Sequence, residues 1–101
     1  SSVFCHASLK EAIADTIRDT RIHKGFSLGA SPRAGLHLLQ AARALALVRG
    51  RNYVIDEDLC VLAAPVLTHR LKLRDPRAQG AKLVREICLA RIDRIKKIPE
   101  N

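Results

Sequence analysis

Apolar residues recur at helical spacing near the start of the chain. Leu9, Ala12, Ile13, Thr16, Ile17 and Thr20 share one face, and Lys10, Glu11, Asp15, Arg18 and Asp19 lie off it. Ser8 and Glu11 have the S-x-x-E spacing of a capping box, which predicts a helix beginning at Ser8. It should fade over Arg21 to Lys24, ahead of Gly25. Residues 25–29 read as a connector with room for a very short strand around 26–28. Ser31 then has the character of an N-cap, and Pro32 that of a first helical residue, where a missing N–H is harmless. The helix that follows should run to Arg49 and stop at Gly50, a left-handed C′ residue. Leu36, Leu38, Leu39, Ala41, Ala42, Leu45, Ala46 and Val48 wrap most of it, with Arg33, His37, Gln40 and Arg43 as one polar stripe. Such a pattern predicts the central element of a bundle, with Leu39, Ala42 and Leu45 at its heart.

Arg51 to Tyr53 should turn the chain, with Tyr53 packing its ring and hydrogen-bonding its hydroxyl. Asp56 is placed to cap a third helix, and Glu57 and Asp58 in its first turn suit the helix dipole. Its core face is Leu59, Leu62 and Ala63, with Val66 at the margin, and Pro65 should kink or end it. The alternation of residues 69–73 allows a second short strand. After a polar loop at 74–80, Ala81, Val84, Ile87, Cys88, Ile92, Ile95 and Ile98 form the stripe of a last helix over about 81–98. Arg91 falls inside that stripe, as a side chain reaching out to water. The expected fold is all-α: a small four-helix bundle, one domain over residues 1–101, with one or two very short strands.

Composition sharpens this picture. Hydrophobic residues make up 48% of the 101 and aromatics only 3%, so aliphatic side chains must fill the core, which suits helix packing. No apolar run approaches the ~20 residues of a membrane span. The N-terminal residues are too polar for a signal peptide, and a chain opening on Ser1 is expected to be a fragment or a processed product. Three cysteines far apart in sequence (Cys5, Cys60, Cys88) and four unpaired histidines (His6, His23, His37, His69) suggest reduced thiols, a cytoplasmic setting and no metal site. The net charge is +8, and residues 70–101 hold ten of the 18 Lys and Arg against four of the ten acids. A basic segment suits nucleic acid, lipid or an acidic partner, or is simply a solvated face.

The candidate chemistry lies in Leu28-Gly29-Ala30-Ser31-Pro32-Arg33-Ala34. Gly29 permits close backbone approach or a positive φ. Ser31 and Pro32 set where the helix begins and hold Arg33 in its first turn, at the positive end of the dipole. A planar guanidinium there suits an anion such as phosphate. The competing reading is an ordinary helix start carrying a solvated arginine.

That junction and its neighbours resemble the C-terminal lid of MoxR-family AAA+ ATPases over Ile17 to Leu73. The resemblance is carried by Thr20-Arg21, residues 28–34, Ala41-Ala42-Arg43-Ala44, Gly50-Arg51-Asn52-Tyr53-Val54, Asp58, and Val66-Leu67-Thr68-His69-Arg70-Leu71. It implies that Arg33 serves as sensor 2, reaching toward the γ-phosphate of ATP held by a preceding α/β core and supported by Gly29, Ser31 and Pro32. His37, Arg43, His69 and Arg70 are candidates for contact with the core domain or a neighbouring ring subunit, the equal alternative for His69-Arg70 being a strand or turn pair with structural contacts. ATP and Mg²⁺ would belong to the full-length protein, with neither bound to this chain alone. Further implications are a ring, often a hexamer, a chaperone-like role in assembly or maturation, and partners carrying von Willebrand A domains. The chain has no GxxxxGK[ST] loop and no strand ending in paired acids, so it should not hydrolyse ATP alone. The rival is a small basic helical module for nucleic acid. Against it stand the absence of a helix-turn-helix spacing and of an aromatic stacking platform.

Overall fold

The computed structural model describes residues 3–96. Among them are four α-helices, α1 (Ala7–Ile22), α2 (Pro32–Val48), α3 (Asp56–Leu67) and α4 (Gly80–Lys96). Two short strands, β1 (Phe26–Leu28) and β2 (Lys72–Leu73), pair antiparallel, and a 3-10 turn (Thr68–Arg70) follows α3. The all-α reading therefore holds, with the second strand confined to its last two expected residues because 68–70 continue in helical sense. Helices α1 and α3 each pack on both α2 and α4, closing a ring of neighbours around one core. Leu38, Leu59, Leu67, Val84 and Ile92 are its largest fully buried aliphatic side chains.

All six residues of the α1 face are buried. Its cap differs from expectation. The Ser8 N–H donates to Nδ1 of His6 at 3.0 Å, and the Ser8 hydroxyl lies 2.8 Å from the same nitrogen. The imidazole thus supplies the acceptor that Ser8 was expected to supply, and the helix starts one residue earlier. Beyond its far end the chain enters β1, whose first residue, Phe26, is buried in the core.

Helix α2 has the expected limits, and Gly50 has φ +77°. Its burial corrects the reading of a central element. The covered face is Ala34, Gly35, Leu38, Ala42 and Ala46, while Leu39 and Leu45 are only half-buried. Leu36, Leu47 and Val48 are exposed, Val48 at 83%. The physical reason is that α2 has neighbours on one side only. It approaches them closely through small residues: a Cβ on Gly35 would lie 3.2 Å from Cγ1 of Ile17. Apolar content alone did not distinguish a surrounded helix from one with an uncovered face.

In α3 the buried positions are Asp58, Leu59, Ala63, Ala64 and Leu67, with Leu62 and Val66 at the margin. Asp58, not Asp56, closes the first turn, accepting the Ile55 N–H at 2.9 Å. Asp56 instead pairs with Lys96 at 2.8 Å. Pro65 does not end the helix, which continues two residues beyond it to Leu67. Helix α4 buries Val84, Ile87, Cys88 and Ile92, and Ile98 lies outside the described residues. Arg91 does not reach for water. Its guanidinium bridges to Asp19 of α1 at 2.6 and 2.7 Å, tying the first helix to the last.

Candidate functional site

The junction ahead of α2 is built by contacts that no single helix supplies. Gly29 packs so closely on α1 that a Cβ there would sit 2.5 Å from Cα of Arg21 and 2.7 Å from its N. The next residue is pinned as well: the Ala30 N–H donates to the Thr20 hydroxyl at 3.0 Å, while that hydroxyl donates to the Ile17 carbonyl at 2.7 Å. Thr20 is fully buried, so this chain of bonds is shielded from water and anchors the entry to α2 on the last turn of α1. Close approach, and not a positive φ, is what Gly29 provides; Gly50 has the described chain's only positive φ.

Ser31 caps α2 through its backbone. Its carbonyl accepts the Ala34 N–H at 3.0 Å, and its hydroxyl makes no capping bond. Pro32 has no N–H to offer. The helix end therefore presents fewer free donors than its sequence suggested, and Arg33 carries the charged group of its first turn. Arg33 is exposed and makes no hydrogen bond or ion pair among the described residues. Its backbone is fixed and its head is free.

Beside this end of α2, a cleft of about 370 Å³ opens between α1 and α2. Ile13, Ala14, Ile17, Pro32, Leu36 and Leu39 give it an apolar lining, and Lys10, Arg18 and Arg21 bring cations to it. An apolar slot edged by cations, of which Arg18 is paired with Asp15, suits a ligand with a flat apolar part and an anionic part; Arg33 follows the lining residue Pro32 in the chain but does not itself line the slot. These α1 cations were not picked out from the sequence as site residues. Their signal was there in their spacing along one edge of the first helix, off its buried face.

The remaining expected site residues fall into three situations. His37 lies one turn beyond Arg33 on α2, and its Nδ1 accepts from the guanidinium of Arg70 across the fold, so these two are brought together. Arg43 is turned inward to the N-terminal segment, donating to the Val3 carbonyl at 3.1 Å. His69 is exposed, with no polar partner among the described residues. The other end of α2 is a different matter. Arg51 makes paired bonds of 2.9 and 2.7 Å to Asp58, donates to the Tyr53 carbonyl at 2.8 Å, and stands 5.8 Å from the Tyr53 ring centroid. The Tyr53 ring is half-exposed, and its hydroxyl has no partner among the described residues.

The basic segment is partly committed to the fold. Arg91 pairs with Asp19, Lys96 with Asp56, Arg77 with Asp75, and Arg70 with His37. Among the described residues, no three His, Cys, Asp or Glu side chains converge on a metal-sized site, and no helix is long and apolar enough to cross a membrane.

A family model for the AAA lid domain matches residues 18–87. The chain is 42% identical over 88 residues to the uncharacterized protein YeaC of Bacillus subtilis, covering 82% of this chain and 27% of YeaC. It is 40% identical over 79 residues to the chaperone MoxR1 of Mycobacterium tuberculosis, covering 69% of this chain and 21% of that one. It is also 47% identical over 45 residues to the protein MoxR of Paracoccus denitrificans, covering 45% and 13%. The chain thus spans about a quarter or less of the length of these relatives. A proposed ATPase of known structure from Cytophaga hutchinsonii shares the fold, with a TM-score of 0.79 over 97% of this chain and 32% of that one, at 24% identity. The matched span holds the last turn or so of α1, the junction, α2, α3 and the first half of α4, and the chain belongs to the AAA lid domain family as a lid of the MoxR type.

Proposed function

We propose that this lid closes over ATP held by the α/β core of a longer MoxR-type AAA+ ATPase, with Arg33 in the sensor-2 role. The observation that carries the proposal is an arginine whose backbone is immobilised by buried contacts while its guanidinium is left without a partner. A guanidinium so held can meet charge that develops on a transferring phosphoryl group without first giving up another bond. The α1–α2 cleft supports the same reading, since its apolar lining would take the base and its cations the phosphates of one nucleotide. Bound Mg²⁺ would supply charge neutralisation at the phosphates, from ligands in the core domain. Attraction of Arg33 to the terminal phosphate pulls the lid inward, and loss of that phosphate releases it. The four-helix ring then moves as one body, turning phosphate chemistry into domain motion.

In this reading the partners are the chain's own core domain and neighbouring subunits of a ring, often a hexamer, with His37 and Arg70 as a contact pair at the ring interface. The assembly would act as a chaperone-like maturation factor in the cytoplasm, working with von Willebrand A domain proteins. The test is turnover by the full-length ATPase. Arg33→Ala should lower kcat on the order of 10²-fold with nucleotide binding much less affected, as for loss of a preorganised donor to a transition-state anion. Arg33→Lys should restore only part of it, because a point ammonium lacks the planar fork. Normal turnover in Arg33→Ala would overturn the assignment.

A further inference from the structure

Two of the cysteines that are far apart in sequence meet in the fold. Cys60 is on α3 and Cys88 on α4, in the seam between these helices. Cys88 is 2% exposed, and its Sγ lies 4.0 Å from the carbonyl of Leu59, the residue before Cys60. The Cys60 thiol and the Thr16 hydroxyl are its side-chain neighbours. Cys60 is half-buried, whereas Cys88 is buried, so Cys60 is the more accessible residue of the pair. Cys5 is buried elsewhere, against the His6 carbonyl at 3.8 Å.

We infer that Cys60 and Cys88 form a modification site, a dithiol that two-electron oxidants of the peroxide or small-disulfide class convert to an intramolecular disulfide stapling α3 to α4. With a peroxide, the Cys60 thiolate attacks one oxygen, the O–O bond breaks, and Cys60 becomes a sulfenic acid while the second oxygen leaves as water. Cys88 then attacks the Cys60 sulfur, the S–O bond breaks, a second water departs, and the S–S bond forms. With a small disulfide, Cys60 displaces one thiol and Cys88 displaces the other. On either route the protein loses two hydrogens and two electrons, and the oxidant takes both.

The surroundings set the pace of this chemistry. Burial pushes the Cys60 thiol up; Asp56 and Asp93 add to the effect, and Lys96 opposes it. Burial, with the neighbouring Cys60, pushes Cys88 up to about 11, against the Thr16 hydroxyl. Thiolate is therefore scarce at neutral pH, and the site responds to sustained oxidation and not to a brief pulse. The staple encloses the 3-10 turn, β2 and the loop ahead of α4, so it restricts the unfolded chain and stabilises the domain.

The experiment exposes the 101-residue chain to hydrogen peroxide and, separately, to oxidised glutathione at mildly alkaline pH. Alkylation under denaturing conditions and peptide mass mapping follow. The expected result is one linked Cys60–Cys88 peptide with Cys5 still alkylated, a Tm raised by several degrees, and reversal by a dithiol reductant. The rate should rise with pH over the range in which thiols ionise. Cys5→Ala should change none of this, and Cys60→Ser should remove both the linked peptide and the Tm shift. A stable glutathione adduct on Cys60 beside an alkylated Cys88, a Cys60-linked dimer, or three alkylated cysteines after prolonged oxidation would each overturn the inference.

Discussion

The two ends of α2 carry arginines in opposite states. Arg33 enters the helix with its guanidinium free, whereas Arg51, just beyond the exit, has its donors engaged by Asp58 and the Tyr53 carbonyl. Its partner Asp58 is fully buried. Both arginines follow a glycine-bearing turn: Gly29 lies tight against Arg21, and Gly50 takes the left-handed φ that closes the helix. The backbone is equally organised at the two ends, so the difference is whether a carboxylate was placed to meet the cation. Where one was, the arginine is a fastener of the α2–α3 turn. Where none was, it is available to a ligand. Residue type and proximity to a helix end do not separate these roles.

Removing the fastener should have the largest effect. Asp58→Ala strands the Arg51 guanidinium and the Ile55 N–H together, and should destabilise the domain by about 3–5 kcal/mol, read by denaturant unfolding. The same carboxylate gives a pH signature. Burial raises the Asp58 carboxyl, but the Arg51 guanidinium, the Ile55 N–H and nearby Arg49 outweigh it, so it sits below the usual carboxylate range. A carboxyl lowered by folding contributes stability that is complete above its unfolded pKa of about 4 and is lost as pH falls through its lower folded value. Unfolding free energy should therefore drop on acidification below about pH 4, and the drop should be shallower in Asp58→Asn. An equally steep acid limb in that variant would assign the effect elsewhere, with Asp56 and its Lys96 partner next in line.

A smaller effect should appear where the free end is positioned. Gly29→Ala would place its methyl against the backbone of Arg21, which cannot yield as a flexible side chain does. The junction must shift, and the Ala30 N–H must move from the Thr20 hydroxyl. The expected loss is about 1–3 kcal/mol. The sharper readout is functional: turnover of the full-length ATPase should fall by more than the stability loss explains, because Arg33 would be displaced while intact. Unchanged stability and turnover would mean that the close approach does not position Arg33.

How far all this was legible in the chain depended on the range of the signal. Helix limits and the α1 face are set by neighbours within a few residues, and Pro32, Gly50 and the 9–20 pattern carried them. Partnerships between distant residues left no local trace. Arg91 was read as reaching for solvent because Asp19 is 72 residues away. Asp58 was read only as an acid favoured by the helix dipole, because its partner Arg51, seven residues back, comes from a turn with a polar composition of its own. The leucines of α2 were assigned to the core because burial depends on which neighbours exist, and leucine is also simply a good helix former. Arg33 was singled out from local features and a family resemblance; that it lacks a partner could only be seen once the rest of the chain was in place.

The smallest expected effect is the most discriminating. Arg33→Ala in the isolated domain removes an exposed side chain with no polar partner among the described residues, so Tm should stay nearly unchanged and the unfolding free energy should stay within about 0.5 kcal/mol of the parent. Arg51→Ala, at the other end of the same helix, leaves the fully buried Asp58 carboxylate with only the Ile55 N–H and the more distant Arg49, and should destabilise by several times that amount. Measured side by side by thermal unfolding at neutral pH, the two variants report directly on whether one arginine belongs to the fold and the other does not. A clear loss of stability in Arg33→Ala would make it a structural residue, with an energetic role that its exposed position does not explain, and would weaken its assignment to phosphate. Near-identity with the parent, joined to a turnover defect in the full-length protein, would mean that the guanidinium is kept free of the fold because its partner arrives with the nucleotide.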